Sequence, residues 1–158
     1  CHQQALADDI VHALQTRVDV LTQQALDTGK KPRILVCIER DTNSAFPDRV
    51  IAAGNKGVHQ EYITMAGGVN AYQGPVAYPL LSREKLIHLN PDIIIELIRE
   101  DVWKEKGRDA LMKQWQAYNE LKAVKSKRII FLHENKHMIP GPRFVDTLEI
   151  FAYAVHAK

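Results

Sequence analysis

Asn90-Pro91-Asp92-Ile93-Ile94-Ile95-Glu96-Leu97 decides the fold. After the proline the run is almost continuously apolar, and two others resemble it: Arg33-Ile34-Leu35-Val36-Cys37-Ile38 and Ile129-Ile130-Phe131-Leu132. A strand with one face in water alternates apolar and polar residues. None of these does, so each reads as a strand covered on both faces, as in a parallel sheet. Stretches of helical spacing separate the three runs. Strand–helix alternation implies an α/β domain of three layers (αβα), with a mainly parallel central sheet and right-handed crossovers.

Working outward, the helices are marked by their stops as much as by their stripes. Leu6, Ile10, Leu14, Val18, Leu21 and Ala25 recur at three- and four-residue steps, and Gly29 followed by Pro32 ends that long helix. Val58 to Met65 predicts a helix closed by Gly67-Gly68. Ser82 predicts an N-cap for a helix through His88, stopped by Asn90-Pro91. Asp109 to Leu121 carries Leu111, Met112, Trp115, Tyr118 and Leu121 at helical spacing. Pro140-Gly141-Pro142 predicts a turn with Pro142 at the first position of a last helix, whose stripe is Phe144, Leu148, Phe151 and Val155.

Composition sets the outer bounds. The 158 residues suit one domain able to bury roughly 70% of its unfolded surface. Hydrophobic residues at 46% and charged residues at 25% exclude a disordered chain. Twenty-one basic against 19 acidic side chains give +2, which is no footprint for nucleic acid. No apolar run nears the roughly 18 residues of a membrane span. Two cysteines, Cys1 and Cys37, are too few for a disulfide framework. The chain opens Cys1-His2-Gln3-Gln4 and enters the helix almost at once. A lipidated cysteine is ordinarily followed by a flexible tether, so we expect a boundary inside a longer chain instead.

In α/β sheets ligands gather at the carboxyl ends of the strands. That directs attention to Glu39–Pro47, the segment around Tyr78, Ile98–Lys106 and His133–Arg143. The last holds His133-Glu134-Asn135-Lys136-His137, which matches the zinc-hydrolase pattern of two histidines one helical turn apart with a glutamate to activate metal-bound water. Here the pattern follows a strand and runs into Pro140-Gly141-Pro142, leaving too little room for the helix it needs. A zinc hydrolase is therefore the alternative, not the first reading, and no metal site is expected. No Gly-rich phosphate loop follows Arg33–Ile38, which argues against a nucleotide-binding domain.

The residues Glu61-Tyr62-Ile63-Thr64-Met65-Ala66-Gly67-Gly68-Val69-Asn70, then Tyr78-Pro79-Leu80-Leu81-Ser82-Arg83-Glu84, then Pro91-Asp92-Ile93-Ile94-Ile95 carry a family resemblance. In this order they resemble the C-terminal lobe of helical-backbone (class III) substrate-binding proteins of ABC importers for ferric siderophores, haem and cobalamin. The resemblance implies that residues 1–29 are the end of a rigid interlobe helix and residues 30–158 a C-terminal α/β lobe, the N-terminal lobe lying outside this sequence. It implies no enzyme and no cofactor, and a cargo such as a ferric siderophore held between two lobes. The implied partners are the other lobe and a membrane permease. The implied location is periplasmic, or extracellular on a lipid anchor.

The resemblance also carries roles onto single residues. Glu84 matches a carboxylate that docks on permease arginines, and Tyr78 an aromatic facing the ligand. Arg143 falls in a ligand-contacting loop, where a guanidinium suits carboxylates or catecholates. His133, His137, Arg40, Phe46 and Trp103 are further candidates for lining the cleft.

Overall fold

Three apolar runs too hydrophobic for water on either face form three neighbouring strands of a mixed sheet with helices on both sides. The computed structural model describes residues 2–27, 29, 31–134 and 144–156, and within the first helix the side chains of residues 11–23. In chain order the elements are α1 (His2–Asp27), β1 (Arg33–Arg40), β2 (Arg49–Ala52), α2 (Val58–Met65), β3 (Val69–Asn70), β4 (Leu80–Ser82) and α3 (Arg83–Leu89). Then come β5 (Ile93–Leu97), α4 (Glu100–Trp115), a 3-10 turn (Gln116–Tyr118), α5 (Lys122–Lys125), β6 (Ile129–Leu132) and α6 (Phe144–His156).

The sheet runs β4-β2-β1-β5-β6, with β3 beside the start of β1. Pairings of β1 with β3, β1 with β5 and β5 with β6 are parallel, whereas β2 lies antiparallel to both β1 and β4. Successive side chains of a strand point to opposite faces. Leu35, Cys37, Ile94 and Ile129 therefore meet Leu86, Leu89, Trp115 and Tyr118 on one face. Ile34, Val36, Ile93, Ile95 and Leu132 meet Tyr62, Ile63, Leu148 and Phe151 on the other, where Val18 and Leu21 of α1 also pack. These are the expected three layers, and α1 joins them from its C-terminal half.

The spacing located β5, β6 and α2 at their observed bounds. Ser82 caps α3 as expected, accepting from the Lys85 amide at 3.3 Å, and Asn90 closes that helix in the left-handed region. Two short strands, β2 and β4, carry no readable pattern, because only Val50, Ala52 and Leu81 in them are buried. The helix expected over Asp109–Leu121 begins instead at Glu100 and ends at Trp115, with the 3-10 turn after it. Its first half shows no stripe, since only Val102 and Trp103 among Asp101–Glu105 are even half-buried. Gly107, at φ 70°, then breaks the helical dihedrals and sets the two halves at an angle. Pro142 lies outside the described residues.

The Ala66-Gly67-Gly68-Val69-Asn70 motif proves to be structural. Gly67 adopts φ 84°, and a Cβ on Gly68 would stand 2.4 Å from Cδ1 of Ile34. Buried Asn70 donates to the carbonyls of Ala53 (3.1 Å) and Gly54 (3.0 Å) and accepts from the Tyr72 amide (2.9 Å). It satisfies backbone groups where β2 leaves the side of β1 and β3 takes its place.

Candidate functional site

A cleft of about 380 Å³ opens at the carboxyl ends of β1 and β5, the place where α/β sheets bind ligands. Residues 38–43 form one wall; residues 96–99 and Val102 form the other. β1 continues two residues past the expected Ile38, and this extension delivers Arg40 to the cleft.

The Arg40 side chain is nevertheless engaged inward. Its Nε donates to Oε1 of Glu96 at 2.5 Å, and the two side chains are 1% and 0% exposed. Trp115 donates its indole N–H to Oε2 of Glu96 at 2.5 Å, and the guanidinium lies 5.6 Å from the centre of the Trp115 ring. Burial pushes the Glu96 carboxyl above its ordinary range, while Arg40 and the Trp115 N–H pull it back. The same surroundings act on Cys37, whose buried thiol is pushed well above the usual value, first by burial and then by the charge of Glu96.

The network reaches the rim of the cleft through Gln114. Arg40 Nη1 donates to its side-chain oxygen at 2.7 Å, and its Nε2 donates to the carbonyls of Thr42 (2.8 Å) and Ser44 (2.7 Å). Lys106 donates to Oδ1 of Asn43 at 2.9 Å, and the Tyr118 hydroxyl donates to the Pro47 carbonyl. Asp41 turns the loop locally by accepting from the Asn43 amide (2.8 Å) and the Ser44 hydroxyl (2.7 Å), contacts that hold its carboxyl below the ordinary range.

Further along the same strand ends, Trp103 of α4 and His133 after β6 stack with ring centres 4.1 Å apart and planes 3° from parallel. Phe131 supports Trp103 at 5.9 Å. Two sequence candidates are thus brought together as one half-buried aromatic surface beside the cleft. Phe46 goes elsewhere: it meets Tyr118 edge-on at 6.5 Å and lies under the Arg83 guanidinium at 5.2 Å. Tyr78 is 61% exposed and does not line the cleft; Val76 and Leu80 near it in the chain are exposed as well. Glu84 stands exposed in the first turn of α3, where its own amide and the Ser82 hydroxyl lower its carboxyl's pKa. Arg143 and His137 lie outside the described residues.

The zinc-hydrolase pattern needs a helix, and neither His133 nor Glu134 is in one. Among the described residues no three His, Cys, Asp or Glu side chains converge on a possible metal position. Glu96, Gln114 and Trp115 were not among the expected site residues. The signal for Glu96 was present in the sequence: it is the lone charge in an otherwise apolar run. Gln114 gave none.

Residues 1–136 match a family model described as periplasmic binding protein. No curated protein matches the chain. Among solved structures, an ABC transporter substrate-binding protein from Listeria monocytogenes EGD-e is similar, with a TM-score of 0.75 and 22% identity over 96% of this chain and 57% of that one. An ABC-type Fe3+-hydroxamate transport system from Saccharomonospora viridis gives 0.74 and 22% over 99% and 51%. The periplasmic heme-binding protein RhuT from Roseiflexus sp. RS-1 gives 0.71 and 24% over 97% and 60%. At these identities the likeness shows the fold, and the chain spans little more than half the length of these relatives.

Proposed function

Because the chain belongs to the periplasmic binding protein family, a family of binding proteins and not of enzymes, we propose that it is the C-terminal lobe of the substrate-binding component of an ABC importer. Its cargo is a metal chelate, a ferric siderophore first and haem or a corrinoid next, closed between this lobe and an N-terminal lobe joined through α1. The protein works in the periplasm, or outside the cell on a lipid anchor. No helix among the described residues is long and apolar enough to cross a membrane.

One observation carries the reading: the carboxyl ends of β1 and β5 open into a cleft whose polar wall is fastened by the protein's own hydrogen bonds. A preformed concave surface with few convergent polar groups suits capture of a bulky solute. Trp103 and His133 offer a flat neighbouring surface, and by the family resemblance alone Tyr78, Arg143 and His137 are further candidates for contact with cargo held between the lobes. Glu84, on a capped helix start and kept ionised, is the group offered to permease arginines. An exposed carboxylate of this kind orients and accelerates docking more than it tightens it.

Native mass spectrometry of the full-length natural protein with ferric siderophores, haem and corrinoids tests the proposal. If the intact protein binds at about 1 nM and the lobes share contacts evenly, this chain alone binds in roughly the tens of micromolar. Nanomolar binding by this chain alone overturns the shared cleft, and retention of none of these ligands by the full-length protein overturns the cargo class.

A further inference from the structure

We propose that Gln114 is a positioning residue for the cleft, holding the Thr42–Ser44 rim in its binding shape through the buried Arg40–Glu96 pair. The proposal rests on the cleft being the cargo site. Three observations carry it.

First, the pair is buried to a degree that attraction alone does not justify. Moving two charges out of water is offset by their mutual attraction only when the geometry is good and the remaining polar atoms are satisfied. Here every neighbour supplies that satisfaction: Trp115 occupies the second oxygen of Glu96, and Gln114 accepts from Arg40. Second, the network is directional. Glu96 orients Arg40, Arg40 fixes the oxygen of the Gln114 amide, and that choice aims the NH2 group at two carbonyls of the loop. The flipped amide would present its oxygen to those carbonyls and repel them. Third, two further hydrogen bonds to the loop arise from the same stretch, from Lys106 before Gln114 and Tyr118 after it. The loop is thus tied to α4 and the turn behind it, with Gln114 the tie at its middle.

Arg40, expected to face the ligand, acts through Gln114, its guanidinium engaged by Glu96 and the Gln114 oxygen. A rim ordered beforehand binds without losing loop entropy on capture, so the gain appears as affinity.

The test uses 15N relaxation on this chain carrying Gln114→Leu or Gln114→Glu. The glutamate keeps the size and the acceptor for Arg40 but lacks the two N–H donors. In both variants the order parameters of Thr42 to Phe46 fall from about 0.85 to below about 0.6, while β1, β5 and β6 keep theirs. Unchanged order in the loop overturns the proposal. So does loosening that spreads equally through β5 and β6, which marks Gln114 as an ordinary stability residue. In the full-length natural protein, the same substitutions weaken binding of a ferric trihydroxamate complex about tenfold. If the unsubstituted protein does not bind that complex, the chelate reading fails while the relaxation result still decides the role of Gln114.

Discussion

Two glutamates twelve residues apart in the chain show opposite uses of the same side chain. Glu96 sits at the end of a central strand with no exposed surface, its oxygens shared between Arg40 and Trp115. Glu84 sits at the start of α3, exposed, its carboxyl's pKa lowered by its own amide, the Ser82 hydroxyl and, least, the charge of Arg83. Burial converts the first charge into a fixture of the cleft wall, because it cannot change partners without uncovering another charge. Exposure leaves the second free to exchange water for a partner at little loss. A carboxylate's role therefore follows from how its alternatives are solvated.

The comparison is broken most directly at Glu96. Glu96→Ala leaves the Arg40 guanidinium buried without its counter-charge, a loss of about 3–5 kcal/mol. For a domain of this size that lowers the melting temperature by roughly 6–20 °C. Thermal unfolding followed by circular dichroism measures it, and a change under about 1 kcal/mol means the wall does not depend on the pair.

Tyr118 sharpens the same contrast from the buried side. Its burial pushes the phenol up to about 12, whereas an unfolded tyrosine ionises near 10. Between those values the unfolded chain releases a proton that the folded chain keeps. The stabilisation is therefore complete below about pH 10 and is lost as pH rises toward 12, by about 2 kcal/mol in all. Urea unfolding at pH 9 and pH 12 reads the difference, and Tyr118→Phe should remove this share of it; an equal pH dependence in the variant assigns the loss to other groups.

The smallest stability effect falls on the exposed side. Glu84→Gln leaves the melting temperature within about 2 °C and cargo affinity unchanged, yet impairs uptake by the full-length protein with its permease. Uptake at the unsubstituted rate removes the docking role, and a large fall in melting temperature shows that Glu84 is less free than its surroundings imply.

How much of this was legible in the sequence depends on where the determining interactions lie. β5 and β6 could be read from their own residues, because a strand covered on both faces must be apolar throughout. Ser82 and Asn90 likewise mark the ends of α3 through local hydrogen bonding. β2 and β4 could not, since each is short and keeps an exposed residue beside its buried ones, so neither carries a pattern of its own. The front half of α4 was hidden for a related reason: Gly107 turns it away from the core, so it carries no buried stripe. At the site, Trp103 and His133 were legible as residue types at strand ends, but their stacking was not. Arg40 illustrates the limit well. Its position after β1 marked it for the cleft, while the inward turn of its side chain depends on Glu96 in another strand and Gln114 in a helix beyond that.

Cys37 has a practical consequence. Its sulfur lies at the middle of β1, fully enclosed between sheet and helices, and burial keeps it in the unreactive thiol form. An alkylating reagent can reach it only when the central strand parts from its neighbours, so the rate of peptide-resolved labelling at this one atom times the opening of the whole lobe, and any cargo that clamps the lobe shut should slow that clock.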